Sequence, residues 1–287
     1  MEFGSVMDSF EAHMASKDRS IKTIEGYRSD LKMIKSYFSE KFNGQVYVDD
    51  ISTSDVEGYL LMLKNVKQYK AGSRNRHLNT MKSFYKFCCQ EGWVQKNPVA
   101  SIEKVKGQQK EKDILEIDEV ELFVNTIDHP LIKVVTQFMY YTGLRISECL
   151  SLQIEDVDLE KRQVHVIAGK GNKNRIVPIN QQLKVILTNY LSKLRPKTAS
   201  AYFFASKRSG KFSTPYVNRV LDRTRVELGW TKKISSHSLR HSFASHLARK
   251  GVNIVDISKM MGHADLKTTS VYMHVNHKDL LDSVDQL

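Results

Sequence analysis

The sequence predicts a mainly α protein in two domains: an all-α N-terminal domain, then an α+β domain with one small antiparallel β-sheet. Three observations predict it. Apolar residues recur at three- and four-residue steps through much of the first hundred positions, as amphipathic helices require. Residues 104–113 (KVKGQQKEKD) are polar and nearly free of apolar side chains, the composition of a linker. Beyond them a single pair of β-rich runs is joined by a glycine-rich turn and surrounded by helical patterns. The expected division is a helical domain over 1–103, a linker over 104–113 and a second domain over 114–287 with a terminal tail helix.

In order along the chain, Ile21, Ile24, Tyr27, Leu31, Ile34 and Phe38 form one helical stripe. Ser52 or Ser54 caps a second helix holding Val56, Tyr59, Leu60 and Leu63. Ser73 opens a third, with Leu78, Met81, Phe84, Tyr85 and Cys88 inward and Gly92 at its end. Its outward face offers Arg74, Arg76, Asn79 and Lys82. Met1-Glu2-Phe3-Gly4-Ser5 resembles a cloning remnant and is given no weight. In the second half, 119–127, 131–141 and 146–150 read as helices or a helical turn. The runs 163–167 and 175–179 read as a β-hairpin with a basic tip over 168–174. Helical patterns return at 182–194, 215–227, 238–249, 254–261 and 266–273. The last ten residues carry an apolar stripe of Leu280, Leu281, Val284 and Leu287.

Composition narrows the function. The 287 residues carry 44 Lys+Arg against 32 Asp+Glu, a formal net charge of +12. The surplus lies in two blocks, 64–106 and 161–250, each flanked by acidic stretches. A polyanion, and nucleic acid before others, is the expected partner. Cys88, Cys89 and Cys149 cannot build a disulfide framework, which suits a reducing compartment. No apolar run approaches a membrane span and no signal peptide opens the chain, so a soluble, cytoplasmic protein with no membrane partner is expected.

Four pieces carry chemistry-bearing residues: Thr142-Gly143-Leu144-Arg145-Ile146-Ser147-Glu148, Gly169-Lys170-Gly171, His237-Ser238-Leu239-Arg240-His241, and Gly262-His263 with Tyr272 nine residues on. Cleaving a phosphodiester without a metal needs cationic clamps on the non-bridging oxygens, for which the planar guanidinium is suited. It also needs a nucleophile and a proton donor for the leaving alkoxide. Arg145, Arg240, Lys170, His237, His263 and Tyr272 complete that set, whereas each alone has an ordinary structural explanation. A metal site on His237, His241 and His246 lacks the intervening Glu of H-E-x-x-H and any nearby third ligand. A helix-turn-helix over 255–272 would explain DNA binding but leaves Arg145, Lys170 and Arg240 without a role.

These pieces, in this order and with these flanking words, resemble the catalytic domain of tyrosine recombinases, the phage-integrase and Xer-like group. The resemblance runs from about residue 113 to the end, and the helical first hundred residues resemble that family's core-binding domain more weakly. It implies a site-specific recombinase that cuts and rejoins duplex DNA through a 3′-phosphotyrosine, with no cofactor and no metal. The tasks served by that chemistry include integration, resolution of a mobile element and resolution of chromosome dimers. By the resemblance, Tyr272 is the nucleophile, Arg145 and Arg240 clamp the phosphate, and Lys170 protonates the leaving 5′ oxygen. His237 assists proton transfer, His263 donates to a phosphate oxygen, and Glu148 orients Arg145. The family reading makes the two basic blocks a clamp on duplex DNA. Arg74, Arg76, Asn79 and Lys82 lie on one side, with Lys173, Arg175, Arg219, Arg223 and Arg225 on the other. It further implies a double-stranded DNA core site, a homo-tetramer in the synaptic complex with tails exchanged between protomers, and association with the bacterial nucleoid.

Overall fold

The computed structural model describes residues 1–107, 113–167 and 174–262. Lys170, Lys173, His263, Tyr272, the expected helix over 266–273 and the tail stripe Leu280, Leu281, Val284 and Leu287 lie outside the described residues. The chain forms two compact units, Met1–Lys110 and Glu111–Leu287.

The first unit is built from four helices, α1 (Phe3–Ser16), α2 (Ile21–Lys41), α3 (Thr53–Asn65) and α4 (Ala71–Gln90). Local chemistry starts each of the first three. The Glu2 carboxylate accepts the Ser5 N–H, Ser20 caps α2 through the Thr23 N–H, and Ser52 with Asp55 forms a reciprocal capping box on α3. Leu31, Ile34, Phe38, Tyr59, Leu78, Met81, Phe84, Tyr85 and Cys88 are buried together. Ile21, first in the expected stripe, is instead 76% exposed at the start of its helix. The opening residues set aside above are part of this core. Phe3 is fully buried with its ring centroid 4.9 Å from Phe84, and Phe10 meets Phe84 edge-on at 5.5 Å. The apolar stripe Phe3, Val6, Phe10 and Met14 is as regular as that of α2.

The second unit begins with α5 (Ile117–Thr126), α6 (Pro130–Thr142) and α7 (Ile146–Ser151). Strands β1 (Val157–Asp158), β2 (Gln163–Val166) and β3 (Arg175–Pro178) follow, then α8 (Gln181–Asn189), α9 (Thr214–Glu227), α10 (Ser236–Arg249) and α11 (Ile254–Met261). The strands form an antiparallel sheet in the order β1-β2-β3, with Val164 opposite Val177 and Val166 opposite Arg175. Alternation sets the two faces of β3: Val177 is buried while Ile176 is 54% exposed. Arg175, two residues before Val177, therefore shares the inward face. Helices α6 and α10 pack along one another over a core that includes Phe123, Phe138, Leu144, Leu183, Phe203 and Leu239. The start of the unit is tied to α10 by the Leu115 N–H, which donates to Ser242 Oγ at 2.8 Å. Cys88 and Cys149 are buried and all three cysteines are free thiols.

Replacing Phe3 with alanine removes a fully buried ring packed against Phe84. Phe3→Ala is expected to lower the stability of the first unit by about 3–5 kcal/mol, read from the denaturant midpoint at unchanged slope. A loss below 1 kcal/mol would mean the first turn of α1 contributes no core.

Candidate active site

The site is assembled around the last turn of α11. A helix leaves its final carbonyls without intrahelical donors, and here three of them are met by guanidinium groups. Arg175 Nε donates to the Met260 carbonyl at 2.8 Å, Arg240 Nη2 to Met261 at 2.6 Å, and Arg145 Nη2 to Gly262 at 3.2 Å. The three arginines come from β3, α10 and the N-cap of α7. Negative partial charge at a helix C-terminus favours cations there, and each carbonyl supplies an acceptor that a desolvated guanidinium needs.

The run Thr142-Gly143-Leu144-Arg145 makes a sharp exit from α6. Gly143 closes that helix in the left-handed region (φ +64°), where glycine alone is unstrained. A Cβ on Gly143 would lie 2.4 Å from the Phe243 ring, and the Gly143 carbonyl accepts Arg240 Nη1 at 2.5 Å. Leu144 is buried, which fixes Arg145 as the residue that starts α7. Gly262 repeats the device at the end of α11 with φ +65°; a Cβ there would stand 2.8 Å from Arg175 Nη1. His237 lies on the first turn of α10, exposed, one turn before Arg240, which is 4% exposed. Their spacing of three residues places both on one side of the helix.

Glu148 joins the arginines. Its Oε1 accepts Arg145 Nη1 at 3.0 Å and Arg175 Nη1 at 3.1 Å; its Oε2 accepts the Arg145 backbone N–H and Arg175 Nη2, both at 2.8 Å. Four donors fill the acceptor capacity of one carboxylate. Burial pushes the Glu148 carboxyl up, but the Arg175 hydrogen bonds, the Arg145 N–H and both positive charges outweigh it and hold the group below its ordinary value. Arg145 keeps 33% of its side chain exposed while Arg175 keeps 9%. Arg145 thus presents an open edge, and Arg175 is part of the frame rather than of the surface.

The remaining DNA-contact candidates fall into two groups. Arg76, Asn79, Arg219 and Arg223 are exposed, the last two four residues apart on α9. Arg74 and Lys82 are half-buried, with Lys82 Nζ bonded to the Ile102 carbonyl at 2.6 Å. Arg225 turns back to Asp222 (2.8 Å) and to the Trp230 carbonyl (2.7 Å), closing the end of α9. Sequence reasoning missed Asp30. This buried carboxylate on α2 ion-pairs with Arg76 at 2.7 Å and accepts the Thr80 hydroxyl at 2.9 Å. The inward stripe of α2 passes through Leu31 and Ile34, and the lone acidic residue beside it was the available signal.

Glu148→Gln leaves two guanidiniums facing each other across a neutral amide and is expected to cost about 3 kcal/mol of stability in the second unit. Because the carboxyl titrates below its unfolded value, its contribution is complete above the ordinary carboxylate range and is lost as the pH falls through the folded value. Melting curves from pH 7 down to pH 3 check both: the wild type should lose its margin over Glu148→Gln only on the acid side. A margin that does not shrink at all below the ordinary carboxylate range would exclude an ionised Glu148 as the source.

The chain is similar to known proteins over most of its length. Residues 113–279 match the phage integrase family, and residues 7–92 match the phage integrase N-terminal SAM-like domain. The tyrosine recombinase XerD of Staphylococcus epidermidis is 33% identical over 275 residues, covering 92% of this chain and 91% of that protein. The crystal structure of XerA recombinase, at 28% identity, aligns with a TM-score of 0.55 over 99% of this chain and 98% of its own. A lambda integrase dimer bound to a COC′ core site, at 20% identity, shares the fold with a TM-score of 0.80 over 97% of each chain. With the arginine pair and its glutamate in the matched region, the chain belongs to the phage integrase family of tyrosine recombinases.

Proposed function

We propose that this protein is a site-specific recombinase that cuts and rejoins duplex DNA through a covalent 3′-phosphotyrosine. The observation that carries the reading is the convergence of Arg145 and Arg240, ninety-five residues apart in sequence, on the carbonyls of two consecutive residues, Met261 and Gly262. Two guanidiniums fixed side by side, one with an open edge, suit a phosphate whose charge rises in the transition state. His263 is the next residue in the chain and Tyr272 follows within ten.

In the proposed reaction the Tyr272 oxygen attacks the scissile phosphorus and the P–O5′ bond breaks. Lys170 delivers a proton to the departing 5′ oxygen, and His237 takes up the proton from Tyr272. Arg145 and Arg240, with His263 donating to a phosphate oxygen, stabilise the five-coordinate phosphorus; Glu148 orients Arg145. The 5′ hydroxyl of a second strand then attacks the phosphotyrosine, so the number of phosphodiester bonds is conserved and no external energy source is required. Arg76, Asn79, Arg219 and Arg223 are the exposed candidates for backbone contacts, which position the duplex without reading its sequence. The working assembly proposed is a homo-tetramer on two core sites, with the stripe Leu280, Leu281, Val284 and Leu287 exchanged between protomers. The place of action is the cytoplasm, on the nucleoid.

A core duplex enriched from random-sequence DNA by binding to this protein, then nicked so that cleavage is trapped, tests the chemistry. The wild type should form a covalent adduct; Tyr272→Phe should bind that duplex within about threefold of wild type and form none. An adduct with Tyr272→Phe would overturn the choice of nucleophile. Truncation after Asn276 should weaken assembly of the two-duplex complex far more than binding of a single site in gel-shift titrations. Equal losses would overturn tail exchange.

A further inference from the structure

We infer that Arg175 is a positioning residue that locks the last turn of α11 against the Arg145–Arg240 pair; the inference rests on the recombinase reading above. Arg175 joins two parts of the site that are otherwise separate. One planar group bonds the Met260 carbonyl through Nε and both oxygens of Glu148 through Nη1 and Nη2. Glu148 in turn holds the backbone and the guanidinium of Arg145. A continuous chain of charge-assisted bonds therefore runs from α11 through β3 to the start of α7.

Three independent features fit this role and not that of a DNA contact. Strand alternation turns Arg175 to the face of Val177, and its side chain is 9% exposed. All three of its nitrogens are already engaged, Nε by the Met260 carbonyl and Nη1 and Nη2 by Glu148, rather than open to a phosphate. The guanidinium packs against Gly262 so closely that a Cβ would come within 2.8–3.1 Å of Nη1, Cζ and Nε. Gly262 is thus needed both for its left-handed backbone and for the arginine that sits on it. Since Arg145 and Arg240 bond the carbonyls of Gly262 and Met261, a shift of the α11 end displaces the arginine pair itself, and ångström misplacements carry large rate penalties. Lysine cannot reproduce this frame, because a single ammonium does not span a carbonyl and two carboxylate oxygens in one plane.

The test uses the full-length protein and the enriched, nicked core duplex, in its normal form and with sulfur replacing the scissile 5′-bridging oxygen. The sulfur departs without protonation, so it relieves a defect in leaving-group protonation and not one in alignment. Arg175→Gln should bind the duplex within about threefold of wild type yet cleave bound DNA about 100-fold more slowly, with no recovery on the sulfur substrate. Lys170→Ala should recover on that substrate, and Arg175→Lys should fall between wild type and Arg175→Gln in cleavage with unchanged binding. Weakened binding with normal cleavage of bound DNA would make Arg175 a DNA contact and overturn the inference; recovery on the sulfur substrate would place its action at the leaving group and overturn it equally. Should Arg175→Gln fail to fold, Arg175→Lys decides, and cleavage at the wild-type rate overturns the proposal. A wild-type protein that forms no adduct would overturn the recombinase reading and this inference with it. Wild-type adduct formation matched by both Arg175 variants would overturn this inference alone.

Discussion

The second unit turns on the carbonyl end of α11. Left alone, its last carbonyls would be buried acceptors without donors, and Arg175 and Arg240 would be cations largely removed from water. Each defect satisfies the other. Arg175, Arg240 and Arg145 bond the carbonyls of Met260, Met261 and Gly262 in succession, and Glu148 bridges two of the three. The helices and the strand that supply these groups are otherwise joined by apolar packing, which is non-directional. The hydrogen bonds give the site its orientation.

That arrangement separates two kinds of basic residue that composition treats alike. Arg240 and Arg175 are inside the fold, committed to backbone carbonyls and to Glu148, whereas Arg219, Arg223 and Arg76 stand on the surface. Net charge counts both equally, although the first kind is already matched to acceptors within the fold. Arg76 shows a middle case. Its exposed guanidinium is tethered to the buried Asp30, which restricts where the charge is presented. Arg225 is drawn to the end of its own helix.

Much of this was legible in the chain. The capping serine Ser52 and the stripe through Leu31, Ile34 and Phe38 marked helices that the structure contains, whereas the helix expected to open at Ser73 starts at Ala71 with no side-chain cap. The family resemblance marked Glu148, three residues beyond Arg145, as a partner of that arginine, and the two are bonded at 3.0 Å. What was not legible had physical causes. The helix from Phe3 was passed over because its first residues were set aside as foreign, although Phe3, Val6 and Phe10 keep the period. Arg175 was grouped with the basic surface, although strand alternation, with Val177 and Ile176 on opposite faces, turns it inward. Asp30 makes its ion pair with a residue on another helix, and no local pattern announces a partner forty-six positions away.

The sequence by itself determined the helical class, the small sheet and, through its motifs in order, the family. These follow from periodicity, side-chain chemistry and spacing, all properties of a short stretch of chain. Only the tertiary structure decided which cations face the site and which hold it together. That choice depends on burial and on carbonyls brought close by folding: Arg145 meets an acceptor 117 residues away, and Arg240 one on α6 and another on α11. A guanidinium is the same group in every such position; its desolvation and its acceptors determine what it does.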